Sequence, residues 1–446
     1  MSKITTPIAD FVQNYAKSDF SRLHMPAHKG KSILGCEALD ITEINGADVL
    51  YSADGIIDES ENNATELFGT AHTFYSTEGS TLSIKAMLAI AKKNAPSGKK
   101  ILAARNVHKA FVYACALLDI DVEWLYPEST GHLCECEITP LSLRNTLKAM
   151  PSLPFALYVT SPNYLGKILD IKGLSEVCRE FSIYLLVDNA HGAYLAFQKP
   201  SMHPIALGAD ICCDSAHKTL PTLTGGAYLH ISKSFAPYDK SDTRNMLSLF
   251  ASTSPSYLIL QSLDLTNKYL EDEFASRLAD IEQKISRLKD RLLCLGFECE
   301  SGETLKIVLT RQKCGYSGDE LAEHLRKFRI EPEYADCDVL ALMPSTETTD
   351  DELERLKSAF EALSKREPSL DTPPAPSRAE RVISMREALM SSSERIPTEL
   401  SLGRICASPS VSCPPAIPPI VSGERIDSES IKLLLYYGIT EIDVIK

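Results

Sequence analysis

The chain has a single tryptophan, no Cys-x-x-Cys pair, no excess of basic residues and no apolar run of membrane-spanning length. Each shortage excludes a class of protein. A transmembrane helix needs about 20 consecutive apolar residues, and none occurs. A nucleic-acid or anionic-membrane partner calls for a basic face, whereas the formal net charge is −14. A disulfide framework or a zinc site calls for cysteines in set spacings. The 13 cysteines are odd in number and scattered. Neither Cys134-x-Cys136 nor Cys212-Cys213 has zinc-ligand spacing, so no metal is expected. Residues 1–20 include Asp10 and Asp19 and lack a secretory core. The expectation is a reduced, cytoplasmic protein.

At 446 residues, 44% hydrophobic and 24% charged, the chain is an ordinary globular sequence long enough for two or three domains. The stretch Asp210 to Gly226 organises it. A short apolar run, suited to a buried strand, leads through Ser215-Ala216-His217-Lys218-Thr219 to Gly225-Gly226. A lysine where a strand end meets a loop stands in the usual place for chemistry in an α/β protein. Lys218 reads either as a Schiff-base lysine for pyridoxal phosphate or as a surface lysine after a strand.

Two further stretches bear on that choice. Tyr184 to Asp188 reads as a buried strand, with Ala190, His191 and Gly192 just beyond. Asp188 precedes Lys218 by 30 residues, about one strand-crossover-strand unit. A carboxylate on a neighbouring strand end pairs with a protonated pyridine nitrogen, or it caps a helix. Glu78-Gly79-Ser80-Thr81 leads into a strongly helical run. Such a start is an anion site through its N–H groups and dipole, or it is an ordinary cap. The three together, in this order, are more specific than any one.

In chain order, residues 1–65 read as an N-terminal arm and 66–266 as a large α/β domain. The strand Lys100 to Ala104 leads to Arg105-Asn106-Val107-His108-Lys109, which sets His108 just past a strand end. His108 either stacks on a cofactor ring or caps a helix. Further strands are expected at Phe155 to Thr160, Leu305 to Thr310 and Val339 to Met343, and a helix after Ile171. A long helix is predicted from about Asn267 to Leu295, ended by Gly296; at about 43 Å it is long enough to bridge two domains. Residues 267–365 then read as this helix plus a small α/β domain, with capping boxes at Ser317/Glu320 and Thr349/Glu352. A proline-rich linker covers 366–378, and 379–446 form a C-terminal domain.

Together these windows resemble the fold-type-I pyridoxal-phosphate decarboxylases of ornithine, lysine and arginine. The motifs are Ser-Ala-His-Lys-Thr-Leu-Pro (215–221), Asp-Asn-Ala-His-Gly-Ala (188–193), Arg-Asn-Val-His-Lys (105–109) and Thr-Ser-Pro-Ser-Tyr (253–257). Arg-Glu-Ala-Leu (386–389), Gly-Arg-Ile (403–405) and Pro-Pro-Ala-Ile-Pro (414–418) resemble the family's terminal domain. The resemblance implies an aspartate-aminotransferase-like α/β fold with a mostly parallel sheet, a smaller α/β domain and a C-terminal domain. It implies pyridoxal phosphate held by Lys218, with Asp188 at the ring nitrogen and His108 stacked on the ring. Gly79, Ser80, Thr81, Ser215 and His217 would hold the phosphate, and Ala190 and His191 would line the ring. Ser252 and Thr253 would reach the cofactor of a partner subunit, which implies a homodimer at least.

Two positions depart from the family pattern: Glu78 where many relatives have Asn, and Cys413 where many have Tyr. The chain also leaves no room for the N-terminal wing domain of the larger relatives. The implied reaction is α-decarboxylation of a basic amino acid, with Lys218 or His108 returning the proton. Glu43, Asp48 and Glu424 are candidates for the distal cation. An aminotransferase or carbon–carbon lyase would instead need an arginine such as Arg381, Arg386 or Arg404 for the carboxylate. A non-catalytic regulatory relative is the third reading.

Overall fold

A computed structural model describes residues 4–95, 100–127, 131–409 and 415–446. Among these, twelve strands follow in chain order: β1 (His72–Ser76), β2 (Lys100–Ala104), β3 (Asp121–Leu125), β4 (Ala156–Thr160), β5 (Tyr184–Asp188), β6 (Ile211–Asp214), β7 (Ala227–Ile231), β8 (Ile307–Thr310), β9 (Tyr334–Ala335), β10 (Val339–Leu342), β11 (Ser393–Pro397) and β12 (Glu441–Ile445). The chain divides into two compact units. One comprises Met1–Ser97 and Ile171–Arg277, the other Gly98–Asp170 and Leu278–Lys446.

In the first unit, β5 and β6 pair in parallel, β6 and β7 antiparallel, and β7 and β1 antiparallel. Strands β6, β7 and β1 are buried along their whole length. Burial on both faces is what a near-continuous apolar run such as Leu185-Leu186-Val187 requires. The helix Gly79–Lys93 buries nine of its residues, Leu82, Met87 and Leu88 among them. The helix Ile171–Glu180 buries Ile171, Leu174, Val177 and Cys178, a stripe close to the helical period.

The second unit holds a parallel set, with β2 paired to both β3 and β4. It also holds an antiparallel sheet of β8, β10 and β9, and the two-stranded pair β11–β12. Both capping boxes form. Ser317 Oγ accepts the Glu320 N–H while the Glu320 carboxylate accepts the Ser317 N–H, and Thr349 and Glu352 do the same. Residues 364–380 contain no helix or strand.

The long helix differs from its expectation at the start. Helical structure begins at Tyr257, runs to Tyr269, passes a π-turn at Leu270–Phe274 and continues as Ala275–Cys294. Pro255 and Ser256 precede it, so the start lies ten residues before Asn267. The apolar residues of Tyr257–Tyr269 are not confined to one stripe, and the period alone is silent there. The end is as expected. Gly296 has φ 93; its N–H donates to the Leu293 carbonyl and that of Phe297 to Leu292, a Schellman closure. No described helix is long and apolar enough to cross a membrane. The twelve described cysteines are all free, and Cys413 and Pro414 lie outside the described residues.

Candidate active site

The site is built where two neighbouring parallel strands end. Asp188 is the last residue of β5 and stands opposite Cys213 of β6. After β6 the chain turns at Ser215 into the one-turn helix Ala216–Thr219, which carries His217 and Lys218. The connection from β5 to β6 holds only a 3₁₀ turn, Ala193–Phe197, so the two strand ends stay adjacent.

Lys218 Nζ lies 3.0 Å from His191 Nε2, an amine and an imidazole within hydrogen-bond reach. Asp188 is 2% exposed, and its Oδ1 accepts the Ala190 N–H at 3.1 Å and lies 3.7 Å from Cys213 Sγ. Burial, with Asp188 alongside, pushes the Cys213 thiol well above its ordinary pKa, so it stays a neutral donor.

A second corner forms at the start of the helix Gly79–Lys93. Its N-cap is Glu78, whose side chain makes no cap hydrogen bond. Gly79 has φ 68, and nothing lies within 4 Å of where its Cβ would stand. Ser80 and Thr81 occupy the first turn. Ser215 Oγ donates to Ser80 Oγ at 2.7 Å, which ties this turn to the segment carrying Lys218. The Gly79 N–H donates to the Gly225 carbonyl, and His217 Nδ1–H donates to the Gly226 carbonyl at 2.9 Å. Gly225 is required here: it has φ 100, and a Cβ would stand 2.9 Å from the Thr77 carbonyl oxygen.

Behind the strand ends lies a charge network that sequence reading passes over. Asp214, fully buried, accepts from Asn189 Nδ2 at 2.7 Å through Oδ1. Its Oδ2 lies 3.1 Å from Nε2 of both His203 and His230. Burial opposes its charge, but the two imidazoles outweigh it and hold the carboxyl far below the usual range. Burial lowers the His230 pKa in turn. Asn189, next to Asp188 in the chain, thus joins the β5 end to the β6 end. The available signal was a charged residue closing the apolar run Ile211-Cys212-Cys213.

The remaining candidates stand as follows. Ser252 and Thr253 are exposed, and the Ser252 N–H donates to Glu78 Oε1 at 2.7 Å. His108 belongs to the second unit, where it caps the helix Lys109–Leu118 through a 3.1 Å bond from the Ala110 N–H to Nδ1. Asp48 gives both oxygens to five backbone N–H groups around the start of the helix Ile56–Phe68. Glu43 accepts from the Thr42 hydroxyl. Glu424 is 3% exposed, accepts the Val421 N–H at 2.8 Å and faces Arg105 at 3.4 Å; burial raises its pKa. Arg105 also donates to the carbonyls of Pro418 and Pro419 and lies 5.1 Å over the Trp124 ring.

A planar pyridine bearing an aldehyde and a phosphate needs a primary amine, a carboxylate and an anion cradle. The first unit offers all three: Lys218, Asp188, and the uncapped helix start with Ser80, Thr81 and Ser215. The buried hydroxyl of Thr219, next to Lys218, has no partner among the described residues. These residues fit pyridoxal phosphate.

Lysine and carboxylate at adjacent parallel strand ends, with a helix-start anion cradle, define a fold-type-I pyridoxal-phosphate enzyme. Solved structures agree on the fold. The constitutive lysine decarboxylase of Escherichia coli superposes with TM-score 0.77 at 18% identity, covering 99% of this chain and 82% of that one. Lysine decarboxylase A of Pseudomonas aeruginosa gives 0.80 at 18% identity, covering 99% and 80%. Residues 6–312 match the model of the Orn/Lys/Arg decarboxylase major domain, and the chain belongs to that family. It is a decarboxylase of that class. The chain is 28% identical to the arginine decarboxylase of Bacillus subtilis over 97% of this chain and 94% of that protein. It is 29% identical to the arginine decarboxylase of Halalkalibacterium halodurans over 96% and 92%, and 29% identical to an uncharacterized protein of Bacillus subtilis over 97% and 94%.

Proposed function

We propose that the chain carries out pyridoxal-phosphate-dependent α-decarboxylation of a basic amino acid, giving the amine and carbon dioxide for polyamine-type metabolism. The observation that carries the proposal is the pairing of β5 with β6, which sets Asp188 and Lys218 on adjacent strand ends. When bound, the cofactor supplies an electron sink for the pair released as carbon dioxide leaves. Lys218 supplies the amine that holds it. Asp188 supplies the negative charge that keeps the ring nitrogen protonated, and the Ala190 N–H and Cys213 thiol fix one of its oxygens. Ser80, Thr81, Ser215 and the N–H groups of the first helical turn hold the phosphate, with His217 beside them.

His191 Nε2 lies within hydrogen-bond reach of Lys218 Nζ, so it orients the amine. Lys218 or His108 returns the proton to the α carbon. Which α-bond breaks depends on how the surrounding residues orient the substrate. Glu43 is the distal-cation residue among the three acidic candidates, because Asp48 gives its oxygens to backbone N–H groups and Glu424 faces Arg105. Ser252 and Thr253, exposed in one chain, reach the partner's cofactor in a homodimer. A reducing cytoplasm suits the free cysteines.

An aminotransferase of the same fold needs an arginine for the substrate carboxylate. Arg381 pairs with Asp121, Arg386 donates to the carbonyls of Ala116 and Leu117, and Arg404 bonds Glu394 and the Ile445 carbonyl. These engagements favour decarboxylation. The relatives matched along nearly their whole length are named arginine decarboxylases, so arginine is the first substrate to test. Incubation with arginine, lysine and ornithine in turn is expected to release carbon dioxide and amine in equal amounts from one of them. A keto acid formed without carbon dioxide rejects the proposal.

A further inference from the structure

Between the helices Lys240–Ser248 and Tyr257–Tyr269, residues 252–255 form neither helix nor strand. Ser252, Thr253 and Ser254 are exposed. The Ser254 N–H donates to Ser252 Oγ at 3.1 Å, which tightens the loop on itself. Among the described residues, a single hydrogen bond ties residues 252–255 to another segment. It is the 2.7 Å bond from the Ser252 N–H to Glu78 Oε1, 174 residues away in sequence. A backbone N–H bonded to a carboxylate is charge-assisted and stronger than a neutral pair.

Glu78 also stands directly before Gly79-Ser80-Thr81, as the N-cap of the helix Gly79–Lys93. A short polar side chain at an N-cap folds back onto the N–H groups of the second and third helical residues, here Ser80 and Thr81. Those are donors that a phosphate needs. The Glu78 carboxylate makes no such bond and is taken up by the Ser252 N–H instead. The backbone beneath it is fixed. The Glu78 N–H donates to Ser76 Oγ at 3.1 Å, and that hydroxyl donates to the Gly79 carbonyl at 3.0 Å. The carboxylate therefore projects from an anchored turn at the end of β1 and holds a loop that has no other such tie.

We propose that Glu78 is a positioning residue that acts on the partner's cofactor site. Its carboxylate holds the 252–255 loop in the place from which Ser252 and Thr253 reach the cofactor of the second chain. The inference rests on the shared-site dimer proposed above and adds the group that orders its loop. Without the carboxylate the Ser252 N–H turns to water, and the loop pays its ordering entropy when it meets the partner's cofactor. The loss is felt one chain away from the substitution.

The test combines titration of pyridoxal phosphate into apo protein with subunit mixing. Glu78 is exposed, so Glu78→Ala leaves the fold intact. That variant alone is expected to bind the cofactor at least about tenfold more weakly. Glu78→Gln, whose amide oxygen still accepts the Ser252 N–H, is expected to recover most of that loss. Mixed with excess Lys218→Ala chain, the Glu78→Ala chain is expected to regain wild-type activity per Lys218, because the loop serving that site now comes from a chain with Glu78 intact. Mixed with excess chain carrying both Lys218→Ala and Glu78→Ala, the wild-type chain is expected to lose activity. The reverse pattern, an unchanged affinity in Glu78→Ala, or Glu78→Gln as weak as Glu78→Ala overturns the inference. Thr253→Val mixed with Lys218→Ala is the control. Restoration there but not with Glu78→Ala overturns the role of Glu78 alone, and restoration with neither overturns the shared-site dimer as well.

Discussion

At the scale of single residues, the proposed chemistry depends on charge held at two atoms. Asp188→Asn keeps the size of the side chain and removes the charge at the ring nitrogen. Cofactor is expected to remain bound while turnover falls about 10³-fold or more. Steady-state assays alongside the visible spectrum check this, and a near-wild-type rate rules out the role. Borohydride reduction followed by peptide mapping is expected to place the label on Lys218; recovery on another lysine refutes the assignment. Asp214 belongs to the same scale but to stability. It answers two buried imidazoles, so Asp214→Asn leaves them without their anion. A loss of about 3 kcal/mol or more is expected, since breaking a buried charge pair from one side is more damaging than never having it. Urea unfolding of the variant measures it, and an unchanged midpoint contradicts the network's role.

Among the elements, the helix Tyr257–Tyr269 carries a titration that reaches physiological pH. Asp264, fully buried on it, accepts from the Ala9 N–H at 2.9 Å and from Ser60 Oγ at 2.5 Å. Burial raises its carboxyl to about 7, against those hydrogen bonds. An unfolded aspartate ionises near about 3.9. Between these values the folded chain holds a proton that the unfolded chain releases. Stability therefore falls as pH rises from about 4 to about 7 and levels off above. Asp264→Asn, neutral throughout, is expected to flatten this part of the profile. Denaturant midpoints at about pH 5 and pH 8 measure the slope; the same slope in both proteins sinks the argument. A smaller effect belongs to the capping box of the helix Gly318–Lys327, where Ser317→Ala is expected to remove about 1 kcal/mol.

For the whole molecule, the proposed assembly is a two-fold dimer with shared sites. Ser252 and Thr253 are exposed beside Glu78 in one chain, consistent with hydroxyls that serve a neighbour. Mixing inactive Lys218→Ala chains with inactive Thr253-defective chains is expected to restore part of the activity, because a hybrid dimer has one intact site. A fully active monomer in sedimentation and assay contradicts this.

Much of the local structure was legible because it depends on near neighbours. Tyr184–Asp188 and Lys100–Ala104 are strands at the expected residues, since short apolar runs between turn signals need burial on both faces. Both capping boxes and the closure at Gly296 formed because their donors and acceptors lie within a few residues of each other. The order of glycine-rich helix start, Asp188 and Lys218 was equally readable, as was the likeness to a family. Strands β1, β3, β7, β9, β11 and β12 are not foreseen: His72-Thr73-Phe74-Tyr75-Ser76 has no long aliphatic run, and the others are mixed or very short. What only the tertiary structure decided is which polar side chains meet. Periodicity reports which face is buried, not what stands opposite. Glu424 looks like a free carboxylate in sequence, yet its partner Arg105 is 319 residues away. The chemistry of Lys218 rests on local sequence, whereas its setting rests on contacts such as Ser215 with Ser80, 135 residues apart, that no window of sequence contains.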